Sequence, residues 1–245
     1  MKSYFDLVYD KNLHLDLHRP ESDNFDLFIY FHGGGLSAGH HKGMEVVAKD
    51  LTKQNIALAS VEYSLYPNAK YPDFIEDAAN SVKWLKDNIS AYGKCNRIFV
   101  GGSSAGGYLS MMLCFDKQWL NAVGLNPTDI AGYIHNAGQP TTHFKLLMED
   151  GLDHRRIIVD ERAPMYFVGV EENYSPMLFL VSTNDIPCRY EQTMVMLKLL
   201  EDFGHKDKAF LEVLEGKHCE HTCKTNEKGE SIFANCILKF VKAIS

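Results

Sequence analysis

The chain has 245 residues, 45% of them hydrophobic, and a formal net charge of −7. That length suits one open α/β domain with a sizeable core, and the acidic balance argues against a nucleic-acid partner. No apolar stretch reaches the roughly 18 residues of a membrane span, the start Met1-Lys2-Ser3-Tyr4-Phe5-Asp6 lacks a signal-like apolar run, and six irregularly spaced cysteines favour a reducing cytoplasm over a disulfide framework.

Residues 4–9 and 12–18 alternate apolar and polar, most clearly at Leu13, Leu15 and Leu17. They predict two antiparallel edge strands. The apolar runs 25–31, 56–62, 97–102, 131–136, 177–183 and 209–214 predict central strands. Helical stretches fall between them at 43–54, 73–92, 105–115, 189–203 and 230–244. The clearest is 73–92, where Pro72 precedes the start and Phe74, Ala78, Leu85 and Ile89 share a face. Strands alternating with helices predict an α/β fold, a mostly parallel sheet with helices on both faces. Without a repeat, low-complexity tract or linker, a single domain is expected over 1–245.

Three loops carry the chemistry. His32-Gly33-Gly34-Gly35 directly follows the strand 25–31. Glycines let backbone N–H groups approach a ligand closely, as the oxyanion of an acyl-transfer intermediate requires. The stretch Gly102-Ser103-Ser104-Ala105-Gly106 lies between a strand-like and a helix-like run. That is the setting of a nucleophile elbow, with Ser104 exposed on a sharp turn. The expected oxyanion donors are Gly33, Gly34 and Ala105. A serine needs a base, and the base an orienting acid. Asp185 falls just past the strand 177–183 and is the expected acid; Asp129, Asp160 and Glu172 follow no convincing strand. His218 follows the last strand and is the expected base, ahead of His221. His40 and His41 are expected in a surface turn, and most other histidines in solvent.

These motifs resemble the α/β-hydrolase esterases of the hormone-sensitive-lipase and acetyl-esterase kind. Val61-Glu62-Tyr63-Ser64-Leu65-Tyr66-Pro67 and Tyr71-Pro72-Asp73-Phe74 are similar to that family's tyrosine-and-proline stretch. Asn184-Asp185-Ile186-Pro187-Cys188-Arg189-Tyr190-Glu191 and Gly216-Lys217-His218-Cys219 resemble small bacterial carbohydrate-ester esterases. The resemblance covers about residues 25–245. It implies an α/β-hydrolase fold and hydrolysis of small acyl esters, such as acetylated sugars, by Ser104, Asp185 and His218, with no cofactor. An amidase or formamidase on the same triad is the alternative, and a non-enzymatic binding protein a remoter one. The expected partner is a small-molecule ester, with no nucleic acid or membrane; the oligomeric state is open.

The segment 138–175 interrupts the alternation and is predicted to be a short lid. Its polar Thr141, Thr142, His143, Asp153, Arg155 and Arg156 suit a hydroxylated alcohol group, and Phe144, Leu147, Met165 and Phe167 a small acyl pocket. His143 and Phe144 are the substrate-binding candidates. The run from His218 to Cys223 holds soft metal ligands, but no second Cys/His cluster completes a zinc site, so no metal is expected. Cys188 and Cys219 flank the expected acid and base and are expected to lie close together.

Overall fold

The computed structural model describes residues 1–245. Eight strands form one sheet: β1 (Lys2–Asp10), β2 (Leu13–Arg19), β3 (Asn24–Phe31), β4 (Ile56–Val61), β5 (Lys94–Ser103), β6 (Gly132–Asn136), β7 (Met177–Asn184) and β8 (Ala209–Lys217). Their order is β1-β2-β4-β3-β5-β6-β7-β8. β1 pairs with β2 and β2 with β4 antiparallel; every other pairing is parallel. All eight predicted strands are present.

Alternation along β3 divides the core between the two sheet faces. Leu27, Ile29 and Phe31 pack with α2 (Asp73–Asn88) and α3 (Ala105–Phe115). Phe28 and Tyr30 pack with α1 (Glu45–Thr52) and α7 (Ile232–Ala243). Every residue of α3 is buried, so this helix shows no amphipathic stripe. At the start of α7, Ser231 Oγ accepts from Ala234 N–H at 3.1 Å while Ser231 N–H donates to Asp50 of α1 at 2.7 Å. One cap thereby ties two helices together. No helix is long and apolar enough to cross a membrane.

Three more helices complete the set: the short α4 (Gln118–Ala122) and α5 (Phe144–Glu149), and α6 (Arg189–Asp202). The first two escaped prediction because five or six residues are too few to show a helical period. The segment 138–175 is packed onto the body at its two ends, where residues 138–143, Leu146 and Leu147 of α5 and Ala163, Pro164 and Met165 are buried, while residues 148–157 between them are exposed.

The chain passes from β3 out to β4 and then back across β3 to β5. The strand order therefore reverses between β3 and β5, and ligands of open parallel sheets gather at such a point, beyond the strands' C-terminal ends.

Candidate active site

Strand register decides which loop residues meet at that edge. Phe31 is paired with Gly102, Ser103 with Asn136, and Asn184 with Lys217. Adjacent strands lie about 4.8 Å apart. Gly33 and Ser104 are thus delivered to neighbouring positions, and so are Asp185 and His218, each one residue past a paired end.

Ser104 adopts φ 55° and ψ −112°, a region that non-glycine residues occupy only when their surroundings enforce it. The enforcement is steric. A Cβ on Gly106 would lie 2.0 Å from the Phe31 carbonyl oxygen, and one on Gly102 would lie 2.4 Å from the Gly106 carbonyl carbon. Only glycine lets the chain fold back this tightly. Ser104 N–H is held by the Asn136 carbonyl at 2.8 Å. The earliest bond in α3 runs from Tyr108 N–H to the Ser104 carbonyl at 3.0 Å, leaving the N–H groups of the first turn, Ala105 included, at the positive end of the helix.

His218 bridges the other two residues. Its Nδ1 lies 2.5 Å from Asp185 Oδ1 and its Nε2 lies 2.9 Å from Ser104 Oγ. Nδ1 donates to the carboxylate, which leaves Nε2 to accept the Ser104 hydroxyl proton. The Asp185 side chain is 1% exposed. Burial is the largest single influence and acts against its charge, but the hydrogen bond and charge of His218 and the N–H groups of Ile186 and Ser182 together hold its pKa below the ordinary value. Asp129 and Asp160, the weaker acid candidates, pair instead with Lys86 and Arg162, and Glu172 is exposed.

The glycine loop approaches from β3. A Cβ on Gly33 would lie 3.3 Å from Ser104 Cβ, so its backbone borders the serine. Gly34 has φ +126°, and a Cβ there would lie 1.9 Å from the Ala38 carbonyl oxygen. His32 fixes the loop's start. Its Nδ1 donates to the Gly33 carbonyl at 2.7 Å, and its ring stacks on Tyr63 at 4.4 Å. Tyr63 in turn donates to the His32 carbonyl at 2.8 Å. Burial depresses the His32 pKa to about 4, so the ring is neutral.

His221 occupies a different place. It is 3% exposed, and Nε2 donates to Asn136 Oδ1 at 2.7 Å. Asn136 Nδ2 donates to Ser103 Oγ at 2.8 Å and to Thr222 Oγ1 at 3.0 Å. This network pins the loop after β8 to the ends of β5 and β6. Asn136 was missed in the sequence; its sole signal was its place at the end of a predicted strand.

Several expectations need correction. His143, expected at the substrate pocket, is 1% exposed and lines neither cavity at this edge. It caps α5, with Nδ1 accepting from Lys145 N–H at 3.2 Å. Thr141 and Thr142 are buried too; Thr142 Oγ1 donates to Asp160 at 2.9 Å. Their polarity serves loop hydrogen bonds. Phe144 does border the Ser104 cavity, which holds about 470 Å³ and is also lined by Gly33, Gly34, Gly35, Ile186 and His218. The histidines are mostly not solvated: His18, His32, His41, His135, His143 and His221 are all buried, and His32, His135, His143 and His221 lie against aromatic rings. Cys188 and Cys219 are both free thiols, as a reducing setting implies. Burial pushes the Cys219 thiol up to about 12, so it stays protonated although Sγ is 3.8 Å from His218 Nε2.

His41, expected in a surface turn, is buried and lies beside two carboxylates, the exposed Asp6 and the buried Asp16. Its Nε2 lies 3.3 Å from Asp6 Oδ1 and 3.5 Å from Asp16 Oδ1. These three ligand atoms lie within 4.8 Å of one another and could hold a cation. Lys42 Nζ already pairs with Asp6 at 3.1 Å, however, and the cluster borders neither cavity. It ties the loop after β3 to the β1–β2 edge.

Carboxylesterase NlhH of Mycobacterium tuberculosis is 34% identical over 93 residues, which is 37% of this chain and 29% of that protein. Isoprenylcysteine alpha-carbonyl methylesterase ICME of Arabidopsis thaliana is 22% identical over 204 residues, 73% of this chain and 48% of its own length. In both cases the match spans less than half of the relative. Among solved structures, esterase B from Lactobacillus rhamnosis superposes with a TM-score of 0.79 at 18% identity, covering 99% of this chain and 85% of that one. A truncated carbohydrate esterase from gut microbiota gives 0.79 at 17% identity, covering 100% and 96%. A family model described as alpha/beta hydrolase fold matches residues 28–225, and with this sheet, elbow and loop order the chain belongs to that family.

Proposed function

We propose that the protein is a serine carboxylesterase acting on short-acyl esters of small alcohols, acetylated sugars among them. The observation that carries this reading is the unbroken hydrogen-bonded line from Asp185 through His218 to Ser104, ending in an open cavity beside the glycine loop. The names of the relatives, carboxylesterase, methylesterase and carbohydrate esterase, support the same reaction class.

In the reaction, Ser104 Oγ bonds to the ester carbonyl carbon as its proton passes to His218 Nε2. Asp185 remains ionised and stabilises the imidazolium. The carbonyl oxygen, now an oxyanion, accepts hydrogen bonds from the N–H groups of Gly33, Gly34 and Ala105. One such donor is typically worth about 10²–10³ in rate. Collapse breaks the bond to the alcohol oxygen, which takes the proton from His218. Water then repeats the sequence on the acyl-enzyme, releasing the acid and restoring Ser104. Six free cysteines fit a cytoplasmic setting.

The test is kcat/KM across p-nitrophenyl acetate, butyrate and octanoate, with a matched anilide beside the acetate. Acetate or butyrate is expected to lead and the anilide to trail. Octanoate ahead by tenfold, about 1.4 kcal/mol of transition-state preference, would replace the short-ester reading with a lipid-directed one. A faster anilide would make the protein an amidase.

A further inference from the structure

A second cavity, of about 430 Å³, adjoins the Ser104 cavity and shares Phe144 and Ile186 with it. Its lining includes His154, Arg155, Arg156 and Arg189 and no aspartate or glutamate. In a chain of net charge −7, the unneutralised arginines of this lining, Arg156 and Arg189, bring positive potential close to the reacting serine.

Arg189 gives this wall a buried centre. It is 4% exposed. Its Nη2 donates to Gln139 Oε1 at 3.2 Å, while Nε and Nη1 have no acceptor. Asp185 is close enough to favour its charge but forms no salt bridge with it. A buried guanidinium without a directly bonded counter-ion is costly, and such a charge is normally paired. Burial lowers its pKa only to about 10, so the group is a cation at neutral pH. Gln139 holds it in place: Nε2 donates to Thr141 Oγ1 at 3.1 Å and to the Thr142 carbonyl at 2.9 Å, so the amide oxygen is turned to the guanidinium. At the exposed rim, Arg155 is neutralised by Asp153, whereas Arg156 forms no ion pair.

We infer that this cavity is a subsite for a carboxylate carried by the ester substrate, held between Arg189 and Arg156. Gln192 offers an amide group to neighbouring hydroxyls, and Phe144 a face for an apolar edge. The carboxylate belongs either to an acidic sugar on the alcohol side or to a dicarboxylic acyl group. This inference rests on the esterase reading above.

Two substrate pairs test it. One compares an O-acetylated methyl glucuronoside with the matching glucoside; the other compares mono-p-nitrophenyl succinate with p-nitrophenyl butyrate. The wild-type protein is expected to favour the charged member of one pair by tenfold or more in kcat/KM, less so as salt rises. Which pair responds identifies the side that bears the charge. Arg156→Gln, at an exposed position, and Arg189→Lys should each reduce that ratio several-fold, chiefly through KM. Calorimetry with methyl glucuronoside and with succinate, against methyl glucoside, reads binding without turnover. Turnover of neutral esters with no charged preference in either pair and no carboxylate binding overturns the subsite and leaves the esterase standing. A preference unchanged in both variants also overturns it. Carboxylate binding without turnover of any ester would instead sink the esterase reading.

Discussion

The sheet edge and the segment 138–175 both border the Ser104 cavity, but they are built differently. At the edge, the ladder sets position: Asp185 and His218 each follow a residue of one paired position, Asn184 and Lys217, and their contact is a consequence of strand spacing. In 138–175 no ladder operates. Thr141, Thr142 and His143 spend their polar groups on the loop itself, and Phe144 reaches the cavity because α5 happens to begin there. A rigid ladder supports the groups that must hold fixed geometry. The irregular segment shapes the space around them.

The contrast is sharpest for His218→Ala. Removing the base should lower kcat by at least about a thousandfold with the fold intact, checked by steady-state rates and circular dichroism. Retention of more than a tenth of the activity would mean that the edge does not carry the chemistry.

A second prediction spans both regions. Burial depresses the pKa of His32 and His221 to about 4, and of His135 and His143 to about 3. In the unfolded chain each titrates near 6.5. Between about pH 6.5 and 4 the unfolded chain therefore binds protons that the native state does not. Stability is full above that window and falls as pH drops through it, by about 1.4 kcal/mol per pH unit for each histidine. Urea unfolding across pH 4–7 should show the slope, and His143→Gln should flatten it if its site in 138–175 is as closed as the edge. An unchanged slope would mean that water reaches His143.

His221→Ala should have the smallest effect on rate, under about tenfold, because its partner is Asn136 and not Ser104. Its cost should fall on stability, about 1–3 kcal/mol for an amide left unpaired in the interior. A variant as inactive as His218→Ala would move the base by three residues.

The difference between the regions also explains what could be read in the sequence. All eight strands and the residues Ser104, Asp185 and His218 follow from apolar runs and from what comes directly after them. Asn136 gave no comparable signal, since its network depends on pairing between β5 and β6. The buried state of His143 was hidden because polar residues in an irregular segment look alike whether they face solvent or their own backbone. Arg189 read as the start of a helix, and its missing partners emerge only in three dimensions.

Ser104 as the nucleophile is open to a direct test. A p-nitrophenyl alkylphosphonate should trap it covalently, and peptide mass spectrometry locates the adduct. One equivalent is expected on Ser104, with loss of esterase activity in step with labelling and no adduct in Ser104→Ala. Labelling at Ser103 or Cys219, or full esterase activity in Ser104→Ala, would contradict it.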